Sequence, residues 1–85
     1  MKQFSYIIQD ENGIHARPAG MLVKCAKGFQ SAVTMECASK KAPLGKLFAL
    51  MGLNVKHGDT VTVTADGPDE DAAIQAIRNL METNV

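Results

Sequence analysis

The sequence predicts an α+β domain, an open-faced β-sandwich in which one four-stranded antiparallel sheet carries three helices on one face. Three observations predict it. Four stretches alternate apolar and polar residues with the period of a strand, and three others repeat their apolar residues with the period of a helix. The two kinds follow one another as βαββαβα. The 85 residues, 46% apolar but only 5% aromatic, suffice for a single core of aliphatic side chains, so residues 1–85 read as one domain. The same pattern also permits a ferredoxin-like sheet with an extra terminal helix.

Gln3 to Gln9 puts Phe4, Tyr6 and Ile8 on one face and reads as the first strand, closed by a turn at Asp10 to Gly13. From Ala16 to Gly28, residues Ala19, Leu22, Val23 and Ala26 recur at helical spacing. Pro18 suits the first turn of that helix, where no N–H is needed, and Gly28 ends it. Ala32 to Ala38 alternates again, with Val33, Met35 and Cys37 inward. A hairpin turn at Ser39 and Lys40 leads into a short strand around Lys41 to Pro43, and the proline, lacking a donor, confines that strand to a sheet edge. Lys46 to Leu53 reads as a short apolar helix. Thr60 to Ala65 is the clearest strand, with Val61, Val63 and Ala65 opposite three threonines. Gly67 and Pro68 open the last helix. Asp69, Glu70 and Asp71 fall in its first turn, where negative charge suits the helix dipole, and Ala73, Ile77, Leu80 and Met81 form its buried stripe.

Nine basic residues against nine acidic ones argue against a nucleic-acid partner. The opening residues lack the long apolar stretch of a secretory signal, and the longest uncharged apolar run, Leu47 to Leu53, is too short to cross a bilayer. A soluble cytoplasmic protein without membrane insertion is expected. Cys25 and Cys37 match neither a redox CxxC nor a zinc pattern, and both are expected to be buried and inert. The zero balance hides a split. From His15 to Lys56 seven basic residues face Glu36 alone; from His57 to Val85 six acidic residues face Arg78 alone. The first half is expected to build a basic face suited to an acidic partner.

The chemistry concentrates in Gly13-Ile14-His15-Ala16-Arg17-Pro18-Ala19. It sets an imidazole where a loop becomes a helix, and the free N–H groups of a first helical turn favour an anion just ahead of them. Arg17 adds a planar set of donors matched to phosphate oxygens, and Gly13 frees the loop for conformations that a side chain forbids. This is a nucleophile beside a phosphate cradle, whose donors stabilise a phosphoryl group once the ring carries it. An isolated histidine before a helix is more often a simple cap; the whole heptapeptide favours chemistry. His57, between Lys56 and Gly58, has no partner of that kind and reads as a solvated turn residue.

With this GIHARPA segment at this distance from the N-terminus, together with Leu47, Phe48 and Met51 and the later DGPDEDAA stretch, the sequence resembles the HPr phosphocarrier family of the bacterial phosphotransferase system over essentially its whole length. The resemblance implies the sheet order 1-4-2-3, which puts the Pro43 strand at an edge. It implies that His15 is the phosphorylated residue, through Nδ1, and that Arg17 assists at the phosphoryl group. No cofactor is implied beyond that covalent group on His15. The implied partners are enzyme I, which donates, and enzyme IIA proteins, which accept. The chain would act as a monomeric, stoichiometric intermediate in sugar uptake and not as an enzyme.

A docking surface follows from the same resemblance and from the residues themselves. Arg17, Gly20, Lys24 and Lys27 recur on the helix face opposite Leu22, Val23 and Ala26. Leu47, Phe48 and Met51 are expected to be partly exposed on the second helix beside them, with Lys46 extending the basic rim, while Leu50 and Leu53 go to the core. An apolar patch ringed by lysines suits a transient acidic partner. Members of the family from Firmicutes carry a regulatory serine, the target of an ATP-dependent kinase, where Lys46 stands here. Two other readings remain: a regulatory interaction module, in a nitrogen-type branch or in transcriptional control, and a small phosphatase using Arg17.

Overall fold

A computed structural model describes all 85 residues. The elements follow in the order β1 (Lys2–Ile7), α1 (Ala16–Lys27), β2 (Ala32–Cys37), β3 (Lys40–Pro43), α2 (Leu47–Met51), β4 (Thr60–Asp66) and α3 (Glu70–Asn84). The strands form one antiparallel sheet in the order β1-β4-β2-β3. This is the predicted sandwich, and it excludes the ferredoxin-like alternative.

Period-2 patterning decides which side of the sheet is covered. Phe4 pairs with Val63 of β4, and Met35 of β2 pairs with the same Val63 and with Ala42 of β3, so apolar residues line up in rows across the strands. These rows join Leu22 and Ala26 of α1, Leu50 of α2 and Ala73, Ile77 and Met81 of α3 in one buried cluster. The opposite face stays open, with Ser5 and Thr62 hydroxyls bonded across β1 and β4 at 3.3 Å. β3 lies at the sheet edge, as Pro43 demands.

Beyond small shifts at strand ends, such as β1 running Lys2–Ile7 in place of Gln3 to Gln9, three features differ from the sequence reading. The β2–β3 turn is Ala38-Ser39, one residue earlier than expected, with both residues at positive φ (52° and 71°). Two consecutive left-handed residues give the hairpin the twist of its strands, and this lets Lys40 begin β3. The second helix spans only Leu47–Met51, because the chain turns at Gly52 and Leu53. Five residues cannot hold a helix by propensity, so α2 depends on Leu50, which is fully buried.

Asp69 is the third correction. It stands at the N-cap position of α3, but its side chain makes no cap bond there. Its carboxylate instead accepts from the N–H groups of Gln30 and Ser31, each at 2.9 Å, and from the Ser31 hydroxyl. Ser31 is buried, and its polar groups need a partner away from water more than an exposed helix end does.

The cysteines divide. Cys37 is buried as expected, whereas Cys25 is only half-buried. Burial pushes both thiols up, with the Asp59 carboxylate adding to the effect on Cys37, so both stay protonated and inert near neutrality.

Candidate functional site

His15 occupies the N-cap position of α1, with extended backbone at φ −103° and ψ −173°. Its carbonyl accepts the first helical bond, from Ala19 N–H at 2.9 Å. A capping side chain bonds to the second or third amide of its helix, but the third residue of α1 is Pro18, which has none. The imidazole makes no capping bond and stays half-exposed. The ring is therefore left free, and the helix start points its unspent amides toward the same space.

The loop that carries His15 is anchored from three directions. Asp10 closes an Asx turn, its Oδ1 accepting Asn12 N–H at 2.8 Å and its carbonyl accepting Gly13 N–H at 3.0 Å. Ile14 donates its N–H to the Val55 carbonyl at 3.2 Å and buries its side chain in the core. Gly13 sits between, at φ +65°, so close to the Val55 segment that an added Cβ would lie 2.2 Å from the Val55 oxygen. Only glycine meets both demands.

His15 and Arg17 share a depression of about 250 Å³ with Pro18 and Met21 of α1, Asp10 of the turn, and Thr83 and Asn84 at the end of α3. The imidazole therefore borders a polar recess with a guanidinium in its wall, which can hold an anion and present it to a nucleophilic nitrogen. A larger groove of about 790 Å³ runs between α1 and α3 past Met21, Cys25, Ala76 and Leu80; it adjoins the recess but holds neither His15 nor Arg17. No group of three His, Cys, Asp or Glu side chains is arranged to hold a metal ion. His57 lies exposed in a turn between β4 and the preceding loop, outside this recess.

The residues assigned to docking gather as expected on α1 and α2. Lys24 and Lys27 are exposed and Gly20 half-exposed, with Arg17 on the same helix face. Gly45, just before α2, lies against the Lys27 stem. Phe48 is 88% exposed and Met51 38%, Leu47 is half-buried, and Leu50 and Leu53 are in the core. Lys46 is exposed at the start of α2 and forms no side-chain cap. The basic half of the sequence does not make one face, however. Lys40 and Lys41 lie on the β3 edge, where Lys41 stands opposite Glu36 in the register, because the β2–β3 hairpin leads the chain away from the helices.

Sequence reasoning missed Asp10, Thr83 and Asn84 as walls of the recess, and Met21 (36% exposed) beside them. Thr83 and Asn84 are some seventy residues from His15 in the chain. No local pattern signals that closure.

A helix-start histidine, left uncapped beside an arginine on this open-faced sandwich, is an arrangement suited to a protein that carries phosphoryl groups. The comparisons agree. Residues 2–83 match the family model described as the PTS HPr component phosphorylation site. The chain is 43% identical over 81 residues to the phosphocarrier protein HPr of Mycoplasma capricolum, covering 95% of this chain and 91% of that one. It is 39% identical over 85 residues to the HPr of Mycoplasma genitalium, covering 99% and 97%. A solved histidine-containing phosphocarrier protein of a mycoplasma superposes with a TM-score of 0.95 at 41% identity, covering 96% and 93%. An HPr structure from Thermoanaerobacter tengcongensis gives 0.93 at 36% identity, covering 98% and 93%. The chain belongs to the HPr family of phosphocarrier proteins of the phosphotransferase system. No helix is long and apolar enough to cross a membrane.

Proposed function

We propose that His15 accepts a phosphoryl group from phosphoenolpyruvate-charged enzyme I and passes it to enzyme IIA proteins that drive sugar uptake. The observation that carries this reading is the uncapped imidazole at the α1 N-terminus, in one recess with Arg17. Nδ1 attacks phosphorus with its lone pair. The N–P bond forms as the bond to the donor breaks, and the donor's nitrogen keeps that electron pair. The charge gained on the carrier falls beside Arg17 and ahead of the free amides of Ala16 and Arg17, where it is stabilised. Transfer onward reverses these changes with the acceptor's nucleophile, so the carrier ends unchanged and works as a stoichiometric intermediate. It needs no cofactor besides this covalent group, and it acts as a cytoplasmic monomer.

The partners dock on the face of Arg17, Gly20, Lys24 and Lys27, on Lys46, and on the apolar patch of Leu47, Phe48 and Met51. Patches of this kind, with an apolar centre and a charged rim, suit partners that must bind and leave. The test of the carrier reading is incubation with enzyme I and phosphoenolpyruvate, read by intact mass and by acid lability of the adduct. One acid-labile phosphoryl group is expected, lost in His15→Ala and kept in His57→Ala. Labelling that persists in His15→Ala would overturn the assignment.

A further inference from the structure

The recess beside His15 contains two opposite fixed charges, the Arg17 guanidinium and the Asp10 carboxylate. The three salt bridges of the molecule lie elsewhere, at the N-terminal amine and Lys2, so these two are not joined. Asp10 is half-buried and tied in place. Its Oδ1 accepts Asn12 N–H at 2.8 Å, its carbonyl accepts Gly13 N–H at 3.0 Å, and its own N–H donates to the main-chain oxygen of Val85 at 3.0 Å. The other polar side chains of the wall are spent inside α3: Asn84 Nδ2 donates to the Leu80 carbonyl and Thr83 Oγ1 to the Asn79 carbonyl, each at 2.9 Å. Asp10 Oδ2 has no hydrogen-bond partner, and the carboxylate cannot swing away without losing the Asx turn.

A phosphoryl group on His15 brings about −1.5 to −2 charge into this recess. Arg17 attracts it, and Asp10 repels it. We propose that Asp10 sets the transfer potential of the carrier: its fixed carboxylate raises the free energy of the phosphorylated form, so the group is surrendered more readily. When the N–P bond breaks and the phosphoryl group moves to an acceptor's nucleophile, the ring nitrogen keeps the bonding pair and the repulsion is relieved. Asp10 does not bond to the phosphoryl group and takes no proton; it acts through charge alone. This inference rests on phosphorylation of His15.

Asp10→Asn keeps the oxygen that accepts from Asn12 and removes only the charge, which makes it the decisive variant. The parent and variant are brought to equilibrium with phospho-enzyme I, and the ratio of phosphorylated to free carrier is read by intact mass at low and high salt. The expected result is a melting temperature close to the parent's and a ratio shifted about threefold toward the phosphorylated carrier at low salt. High salt should shrink the shift, and Asp10→Glu, which keeps the charge, should stay nearer the parent than Asp10→Asn does. An Asp10→Asn ratio equal to the parent's at low salt, or a shift indifferent to salt, overturns the role of Asp10 while leaving the carrier reading intact. A parent protein that takes no phosphoryl group on His15 overturns both.

Discussion

The freedom of the His15 ring depends on residues that never touch a phosphoryl group. Pro18 removes one of the two amides that an N-cap side chain could bond, and Gly13 lets the loop press against Val55. At Gly13 the two demands coincide, a φ of +65° and a neighbouring carbonyl where a Cβ would stand. Gly13→Ala is therefore expected to lose roughly 1–3 kcal/mol from the backbone alone, and more from displacement of the Val55 segment. Thermal unfolding reads that loss. The same shift moves Ile14 and His15 together, so labelling of His15 by enzyme I should slow as well. A variant with the parent's melting temperature and labelling rate would show that the close approach at Val55 is not a constraint. At this scale the site was largely legible, because Gly13, His15, Arg17 and Pro18 do their work within a few residues of one another. Asp10 was not, since its place in the recess depends on a turn and on the distant end of α3.

Short elements in this fold hold their shape by unequal means. The β2–β3 hairpin turns on two residues at positive φ, Ala38 and Ser39, neither of which favours that conformation. Replacing the pair with Asn-Gly is expected to stabilise the protein by about 1–2 kcal/mol, read as a higher denaturation midpoint with an unchanged slope. A midpoint at or below the parent's would mean that the turn relaxes at no cost. α2 answers to packing instead, with Leu50 buried below it and Phe48 projecting into solvent. That division lets the proposed docking face be tested apart from the fold. Phe48→Ala and Lys27→Glu should each weaken binding to enzyme I and leave the melting temperature nearly unchanged. The Lys27→Glu effect should fade with salt, since exposed charges are screened over about 10 Å at 0.1 M. Unchanged affinity in both variants at low salt would place the interface elsewhere. The helical face of α1 could be read from spacing alone; its union with α2 needed the crossing of β2 and β3 between them.

On the scale of the whole molecule, one carboxylate joins distant parts of the chain. Asp69 leads into α3 and binds the loop between α1 and β2, and the Ser31 hydroxyl, the Gln30 N–H and the Ser31 N–H hold its carboxyl below the ordinary carboxylate range. A group whose value is lowered on folding stabilises the fold above its unfolded value and withdraws that support as pH falls through the lowered one. The protein should therefore lose stability on the acid side of the carboxylate range, and Ser31→Ala should flatten that limb of the melting temperature against pH. An identical acid limb in Ser31→Ala would place the linkage in other groups. The use made of Asp69 also marks what a linear pattern can specify. Acidic residues before a helix predict a favourable dipole contact, but the amides of Ser31 and Gln30, 38 and 39 residues away, claimed the carboxylate, and at the buried Ser31 an unpaired polar group costs more than at an exposed helix end. By itself the sequence determined the order of elements, the core face of the three longer strands, the edge position of Pro43 and the histidine at the helix start. Periodicity, missing donors and helix-end electrostatics are local, and residues close in the chain express them. Tertiary structure alone decided which end of α3 walls the recess, that Asp10 enters it, that Cys25 stays half-exposed, and that the basic half of the chain divides between two surfaces. Those outcomes depend on which elements pack side by side, and the long-range contacts that settle this leave no mark at any single position.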